Sequence, residues 1–259
     1  MLDRTLVFSV AMNGYQWRYQ ALIDSHRHYC EKNGYDYVCV NKPGTTTLGL
    51  EVAWLKIRLI IKALEKGYRW VVFLDADTRV ATDTPPVQSV AQRDKQVYMA
   101  NGYSGRVNSG VIIIRNNTAS RYFFRKVLDN ALSPLPAEDQ VGWGENGHII
   151  HYAKGFNEVQ IIGNEWNNNH NEIAHDYIRH FSAGPFRGTD KPDPMSVILY
   201  QLHHYALAVI KRLKGKPHET LDKNFATRLE MLSDRVTEHY AEFKGDWQTK
   251  PTITPATFG

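Results

Sequence analysis

Along the first half of the chain, the spacing of apolar residues switches repeatedly between a strand period and a helix period. LVFSVAMN (6–13) reads as a first strand; Tyr19, Leu22, His26 and Tyr29 then recur every three or four residues, the inner stripe of a helix that Gly34 ends. YDYVCV (35–40) reads as a second strand, and NKPGTTT after it is turn chemistry. From about Glu51 to Lys66, Val52, Leu55, Leu59 and Ala63 share one side of a second helix, which stops at Gly67. WVVFL (70–74) then carries five apolar residues in a row, which fits a strand covered on both faces. Strand, helix, strand, helix, strand predicts a parallel α/β sheet with crossover helices.

Further strands are expected at QVYMA (96–100), GVIIIRN (110–116), EVQIIG (158–163) and YIRHF (177–181), added to that sheet with antiparallel pairing open, and a helix around Ser120 to Leu132. From Asp193 the character changes. Met195 to Leu213 is an apolar helical stretch with a basic end, Lys211-Arg212-Leu213-Lys214, and His218 to Phe243 is a more polar amphipathic one. The expected organisation is an α/β domain over 1–192 and a helical extension with a tail over 193–259, whose last segment, DWQTKPTITPATFG, reads as loosely held.

Composition narrows the function classes. A chain of 259 residues with 42% hydrophobic and 22% charged residues is an ordinary globular one, long enough to bury a proper core. Its 31 basic and 27 acidic residues give a net charge of +4, too weak a field to mark a nucleic-acid binder. Cys30 and Cys39 have no CxxC spacing and read as reduced core thiols. The opening MLDRTLVFSV runs straight into a strand pattern rather than a signal segment, and no window approaches 18 uninterrupted apolar residues. The expected location is the cytoplasm, with the periphery of a membrane left open. Asn116-Asn117-Thr118 matches a glycosylation acceptor, which carries little weight without a secretory signal. The connection after Asn13 lacks G-x-G-x-x-G and no P-loop occurs, so both of those nucleotide sites are disfavoured.

What remains is the pair of carboxylates, Asp75 and Asp77, that follows WVVFL with Ala76 between them. In open α/β sheets ligands collect at the carboxyl ends of strands. Hard divalent cations take oxygen ligands, and commonly join one or two carboxylates to the phosphates of a substrate. The same letters admit another chemistry: haloacid-dehalogenase-type phosphatases end a strand in D-x-D-x-[TV], the first Asp being the nucleophile. Here the fourth residue after Asp75 is Arg79, Thr78 comes one place early, and no later lysine and acidic pair completes such a site.

FLDADT also resembles the DxD motif of GT-A glycosyltransferases, especially the group of glycogenin and the bacterial lipopolysaccharide galactosyltransferases. The resemblance extends in order over residues 6 to 192. Ala11, Asn13 and Tyr15 of VAMNGY resemble the loop that packs on the donor's uracil and ribose; Arg58-Leu59 is similar to the pair of a basic residue and a leucine whose cation reaches the donor; Asn108, Ser109 and Gly110 resemble the "NSG" strand beside the donor sugar. Asp139 and Gln140 of PAEDQVG match the pair lining the sugar and the reaction centre, GNEWNNN is like the family's asparagine turn, and RHFSAGP offers His180 as third metal ligand and Gly184 near the diphosphate. Trp54 to Lys56 and the long DxD strand are also similar to the α-galactosyl and α-mannosyl transferases of yeast and plants. Singly, each match has a plain structural reading: a turn before a strand for Asn108-Ser109-Gly110, a helix start for Asp139-Gln140, a core histidine for His180. Together they converge.

The resemblance implies a GT-A fold, Rossmann-like with a mixed sheet and a C-terminal helical appendage, and a metal-dependent glycosyltransferase. Asp75, Asp77 and His180 would hold Mn²⁺ or Mg²⁺, and the donor would be a nucleotide sugar, UDP-galactose or UDP-glucose before GDP-mannose, with its hexose passed to a glycan or glycolipid hydroxyl with retention. Asp139 and Gln140 would be the catalytic pair. One departure concerns the diphosphate: relatives place Lys-Pro soon after the His-x-x-Gly, whereas here PFRGTD intervenes before Lys191-Pro192, leaving Arg187 and Lys191 as alternatives. A non-catalytic nucleotide-sugar-binding module is the other alternative, against which the intact Asp75, Asp77 and His180 speak. The apolar stripe with a basic end near Lys211 leaves peripheral membrane contact and a homo-oligomer both open.

Overall fold

The structure, a computed structural model, describes residues 2–142, 144–182, 184–214 and 221–245. The expected loose tail, 246–259, and His218 lie outside the described residues. In chain order the elements are β1 (Leu2–Val10), α1 (Tyr15–Arg18), α2 (Gln20–Asn33), β2 (Asp36–Val40), α3 (Gly49–Lys66), β3 (Tyr68–Leu74), β4 (Thr78–Val80), β5 (Val97–Ala100), β6 (Val111–Arg115), α4 (Thr118–Asp129), α5 (Asn146–Ala153), β7 (Val159–Ile162), β8 (Ile178–His180), α6 (Pro194–Lys214) and α7 (Phe225–His239).

Six strands form one sheet in the order β2-β1-β3-β6-β5-β7, and β4 pairs with β8 in a separate two-stranded ladder. β1 lies parallel to β2 and β3, and β7 parallel to β5; β6 alone runs against its neighbours. A crossover of some 14 or 18 helical residues suits parallel neighbours, which is why α2 and α3 link β1, β2 and β3. Of the four added strands, YIRHF does not join the main sheet. It pairs with the three residues after the two aspartates.

Residues on β1 and β3 point alternately to two cores. Leu6, Phe8, Val71 and Phe73 pack under α3, α4 and α7, while Val7, Val72 and Leu74 face Tyr29 and Cys30 of α2 and the β4–β8 ladder. Burial on both faces explains the unbroken apolar run WVVFL. α3 departs from its one-sided expectation: twelve of its residues are buried, Leu50, Ile57 and Ile61 among them. The reason is α7, which lays Phe225, Leu229, Leu232 and Val236 on its outer side within the same core.

The two C-terminal helices differ in their contacts. α6 touches α1 through aromatic pairs, Tyr15 with Tyr200 at 5.8 Å and Trp17 with His203 at 5.2 Å between ring centroids. Both cysteines are free thiols; burial raises them, Cys30 to about 12 and Cys39 to about 11, so neither is a thiolate at neutral pH. Asn116 is buried and its amide donates to the carbonyls of Leu64 and Tyr68, so its acceptor motif is structural.

Candidate active site

The site forms where β3 ends beside the start of β6. Leu74 pairs with Val111, and the next backbone N–H, that of Asp75, donates to the Gly110 carbonyl at 2.7 Å. The chain then turns: the Thr78 N–H and hydroxyl both donate to the Asp75 carbonyl, at 3.0 and 2.7 Å. That turn sends Asp77 back over the sheet edge and starts β4. In the β4–β8 ladder Thr78 lies opposite His180, and the N–H of Phe181 donates to the Asp77 carbonyl at 2.9 Å. Strand pairing thus carries a histidine a hundred residues downstream onto the two acids.

One ligand atom from each of Asp75, Asp77 and His180 lies within 4.8 Å of the others. His180 Nε2 is 3.2 Å from Asp77 Oδ1 and 3.7 Å from Asp75 Oδ2. Its ring is held by a chain of amides: Asn167 Nδ2 donates to the Asn108 carbonyl and to Asn108 Oδ1, which turns Asn167 Oδ1 toward His180 Nδ1 at 2.9 Å. An amide oxygen accepts only, so Nδ1 carries a proton, and in the neutral ring it is Nε2 that faces the carboxylates with its lone pair. Nε2 is buried and completes no hydrogen bond. Two carboxylates gathered on one imidazole nitrogen concentrate negative charge that either a proton on Nε2 or a divalent cation offsets; two carboxylate oxygens and an imidazole nitrogen within 4.8 Å are a donor set that fits a metal.

Gly110 allows this approach. A Cβ there would stand 2.1 Å from His180 Cε1, so the third residue of Asn-Ser-Gly has to be glycine. At the end of β1, Asn13 has φ 56°, the left-handed region in which asparagine is the commonest non-glycine residue, and its side chain accepts from the Thr46 N–H at 2.8 Å.

Behind the acids sits a buried charge cluster. Lys56 Nζ of α3 is 2.6 Å from Glu145 Oε1 and 3.6 Å from Asp75 Oδ1, and it donates to the Ser109 carbonyl and hydroxyl oxygens at 3.2 Å. The Ser109 hydroxyl donates to Glu145 Oε1 at 2.7 Å, and its N–H to Asn146 Oδ1 at 2.9 Å. Burial opposes the lysine's charge, yet Asp75 and Glu145 together raise its pKa above the ordinary value. Burial raises Asp75, with Lys56 working against it; burial is also the largest influence on Asp77, but His180, a backbone hydrogen bond and Lys56 together lower it. His180 is raised in turn: burial works most strongly against the imidazolium, and Asp77 and Asp75 together override it.

Asn13, Tyr15, Asp75, Ala76, Asp77, Asn108, Ser109, Gln140 and His180 line one cleft of about 940 Å³, together with Lys56, Arg106, Glu145 and, from α6, Leu207 and Lys211. Several expected residues lie elsewhere. Ala11 is fully buried beneath Ala76 and Ile23 rather than lining the cleft. Arg58 pairs with Glu230 of α7 at 3.0 Å. Two positions along a helix rotate a side chain by about 200°, so Lys56 faces the acids and Arg58 the far side.

Asp139 is buried with its carboxylate on His151, at 2.7 Å, and on Lys154. Lys154 first and His151 second hold its pKa below the usual carboxylate range. It ties the approach to α5 rather than facing the cleft, and the acid and amide that reach Ser109 are Glu145 and Asn146, six residues on. The acid-amide pair opening the apolar helical run NGHIIHYA was the available signal. Gly184, at φ +92°, packs by Tyr103 and Asn169; Arg187 is exposed and outside the cleft wall; Lys191 lies beside Trp17, Arg18 and Ser196 in a separate recess.

A family model described as nucleotide-diphospho-sugar transferase matches residues 16–146, half of the chain, and spans the acids, Lys56 and Glu145. The chain belongs to that family and is a glycosyltransferase of the GT-A fold. A glycosyltransferase involved in the glycosylation of the major capsid of PBCV-1 superposes with a TM-score of 0.53 at 12% identity, over 70% of this chain and 96% of that one, a likeness of fold. The glycosyltransferase GlyE of Streptococcus pneumoniae TIGR4 superposes at 0.49 and 13% identity, over 82% of this chain and 64% of that one. Comparison with curated proteins finds no significant match.

Proposed function

We propose that the protein transfers a hexose from a nucleotide diphosphate sugar, UDP-galactose or UDP-glucose before GDP-mannose, to a hydroxyl of a glycan or glycolipid, with retention at the anomeric carbon. The observation that carries this reading is the placement of His180 Nε2 3.2 Å from Asp77 Oδ1 and 3.7 Å from Asp75 Oδ2 inside the cleft wall. These three would hold Mn²⁺ or Mg²⁺. Such a cation, when bound, supplies Lewis-acid charge to the departing diphosphate.

This chain's own residues do the rest. Asn13 and Tyr15, where the base and ribose would lie, line the same cleft as Asn108, Ser109 and Glu145. Lys56 and Lys211 are cations of the cleft wall, better placed for a diphosphate than Arg58, Arg187 or Lys191. Glu145, fixed by Lys56 and Ser109, takes over the role expected of Asp139: it presents a carboxylate to the donor sugar and holds the lysine that neutralises Asp75. Positioning and electrostatics of this kind supply most of the rate in such transfers.

Thermal shift tests the reading. UDP is expected to raise Tm when Mn²⁺ or Mg²⁺ is present and not with a chelator, and Asp77→Asn is expected to abolish the shift. Metal-independent stabilisation by UDP, or release of inorganic phosphate from simple monoesters, would overturn it.

A further inference from the structure

The transfer site leaves one large feature unused. α6 is a 21-residue helix, about 30 Å long, with one face on α1 and the cleft and another that no other described residue covers. Met195, Ile198, Leu202, Tyr205, Val209 and Leu213 recur every three or four residues and are exposed by 41% to 81%. At 100° per residue they fall within an arc of about 80° that runs the whole length of the helix. Exposed apolar side chains scattered singly need no explanation, but a continuous stripe marks a surface that is covered in use. No helix among the described residues is long and apolar enough to cross a membrane, so the stripe is not part of a span.

Charge decides between the surfaces that fit. From Pro194 to Lys214 the helix contains no Asp or Glu, and it ends in Lys211-Arg212-Leu213-Lys214 with His203 and His204 about two turns before Lys211. In a second copy of the chain, a paired α6 would offer these cations no carboxylate, whether the helices ran parallel or antiparallel. An anionic lipid surface offers both an apolar layer for the stripe and counter-charge for the basic end.

We propose that α6 lies in the interface of an anionic bilayer, its apolar stripe in the lipid and its opposite face closing the cleft. Leu207, on the inner face, is buried, and Lys211 lines the cleft beside it, so a docked helix sets the cleft at headgroup depth. That placement suits a lipid-linked acceptor and, in that one respect, rests on the transfer reading.

The test is sedimentation of the full chain with vesicles, without donor or turnover, so its failure is separable from failure of the transfer reading. Binding is expected to phosphatidylcholine vesicles containing phosphatidylglycerol, to weaken with added salt, and to be slight on phosphatidylcholine alone. Leu202→Glu is expected to weaken it about tenfold or more while leaving UDP binding unchanged, and Arg212→Glu is expected to weaken it as well. The proposal is overturned if the chain stays in the supernatant with anionic vesicles, or if Leu202→Glu instead dissociates a dimer of a chain that binds no lipid. Equal binding to neutral and anionic vesicles would overturn it too.

Discussion

His180 turns Nε2 to within 3.2 Å of Asp77 Oδ1 because Asn167 holds the other ring nitrogen at 2.9 Å. The amide acts on the ligand rather than on the metal. Asn167→Ala is therefore expected to lower Mn²⁺ affinity by about 10- to 100-fold, the usual cost of losing such a support. Asn167→Asp, which still accepts from Nδ1–H, is expected to lose less. Titration of each variant with Mn²⁺ reads the order directly, and equal affinity in Asn167→Ala would show that the ring needs no such anchor.

Lys56 and Arg58, two residues apart, separate a site residue from a surface one. Lys56→Met leaves Glu145 and Asp75 without their shared cation, and is expected to destabilise the fold by about 3 kcal/mol or more. Arg58→Met removes a partly exposed pair with Glu230, worth about 1 kcal/mol or less, and is expected to leave UDP binding intact. Urea denaturation with UDP titration measures both. A large loss of nucleotide affinity in Arg58→Met would restore that arginine to the site.

Glu145 and Asp139 make opposite predictions for turnover. Glu145→Gln keeps shape and most hydrogen-bonding capacity, so kcat is expected to fall by about 100-fold or more at nearly unchanged UDP affinity. Asp139→Asn loosens the contacts to Lys154 and His151 at the approach to α5, so its main effect is expected on Tm. If Asp139→Asn proves the slower enzyme with an unchanged Tm, the catalytic role returns to Asp139.

The parts of the fold set by local pattern were legible beforehand. WVVFL is apolar without a break because both faces of β3 are covered, and Gly34 and Gly67 end α2 and α3 in left-handed conformations. The acids and His180 also carried a signal, through motif order. What the letters did not carry were facts of rotation and of distant pairing. Whether Lys56 or Arg58 faces the acids depends on which side of α3 the sheet takes, and α3 is buried on nearly all sides once α7 packs on it. Likewise YIRHF alternates like any sheet strand, and only the turn formed by Thr78 shows that its partner is β4. Asp139 matched a motif by letter, but Lys154 and His151, fifteen and twelve residues on, were there to pair with it.

His26 supplies the pH dependence. It is fully buried on α2; its Nε2 lies 2.7 Å from the Thr78 carbonyl, an acceptor, so the proton sits on Nε2 and Nδ1 accepts from the Ser9 hydroxyl, which itself accepts from the Tyr37 hydroxyl. The neutral ring is thus fully bonded and anchors the turn that positions Asp77. Burial pushes its pKa down to about 4, against the backbone hydrogen bond to Thr78. The unfolded chain takes up a proton near pH 6.5, whereas the folded one resists until about pH 4, so between these values the unfolded state binds more protons and stability rises with pH. The contribution is fully present above about pH 6.5 and falls by about 3 kcal/mol as acid approaches pH 4. Urea midpoints measured across that window should show this slope, and His26→Gln, with no titrating ring, should flatten it. An unchanged slope in that variant would assign the acid sensitivity to other groups.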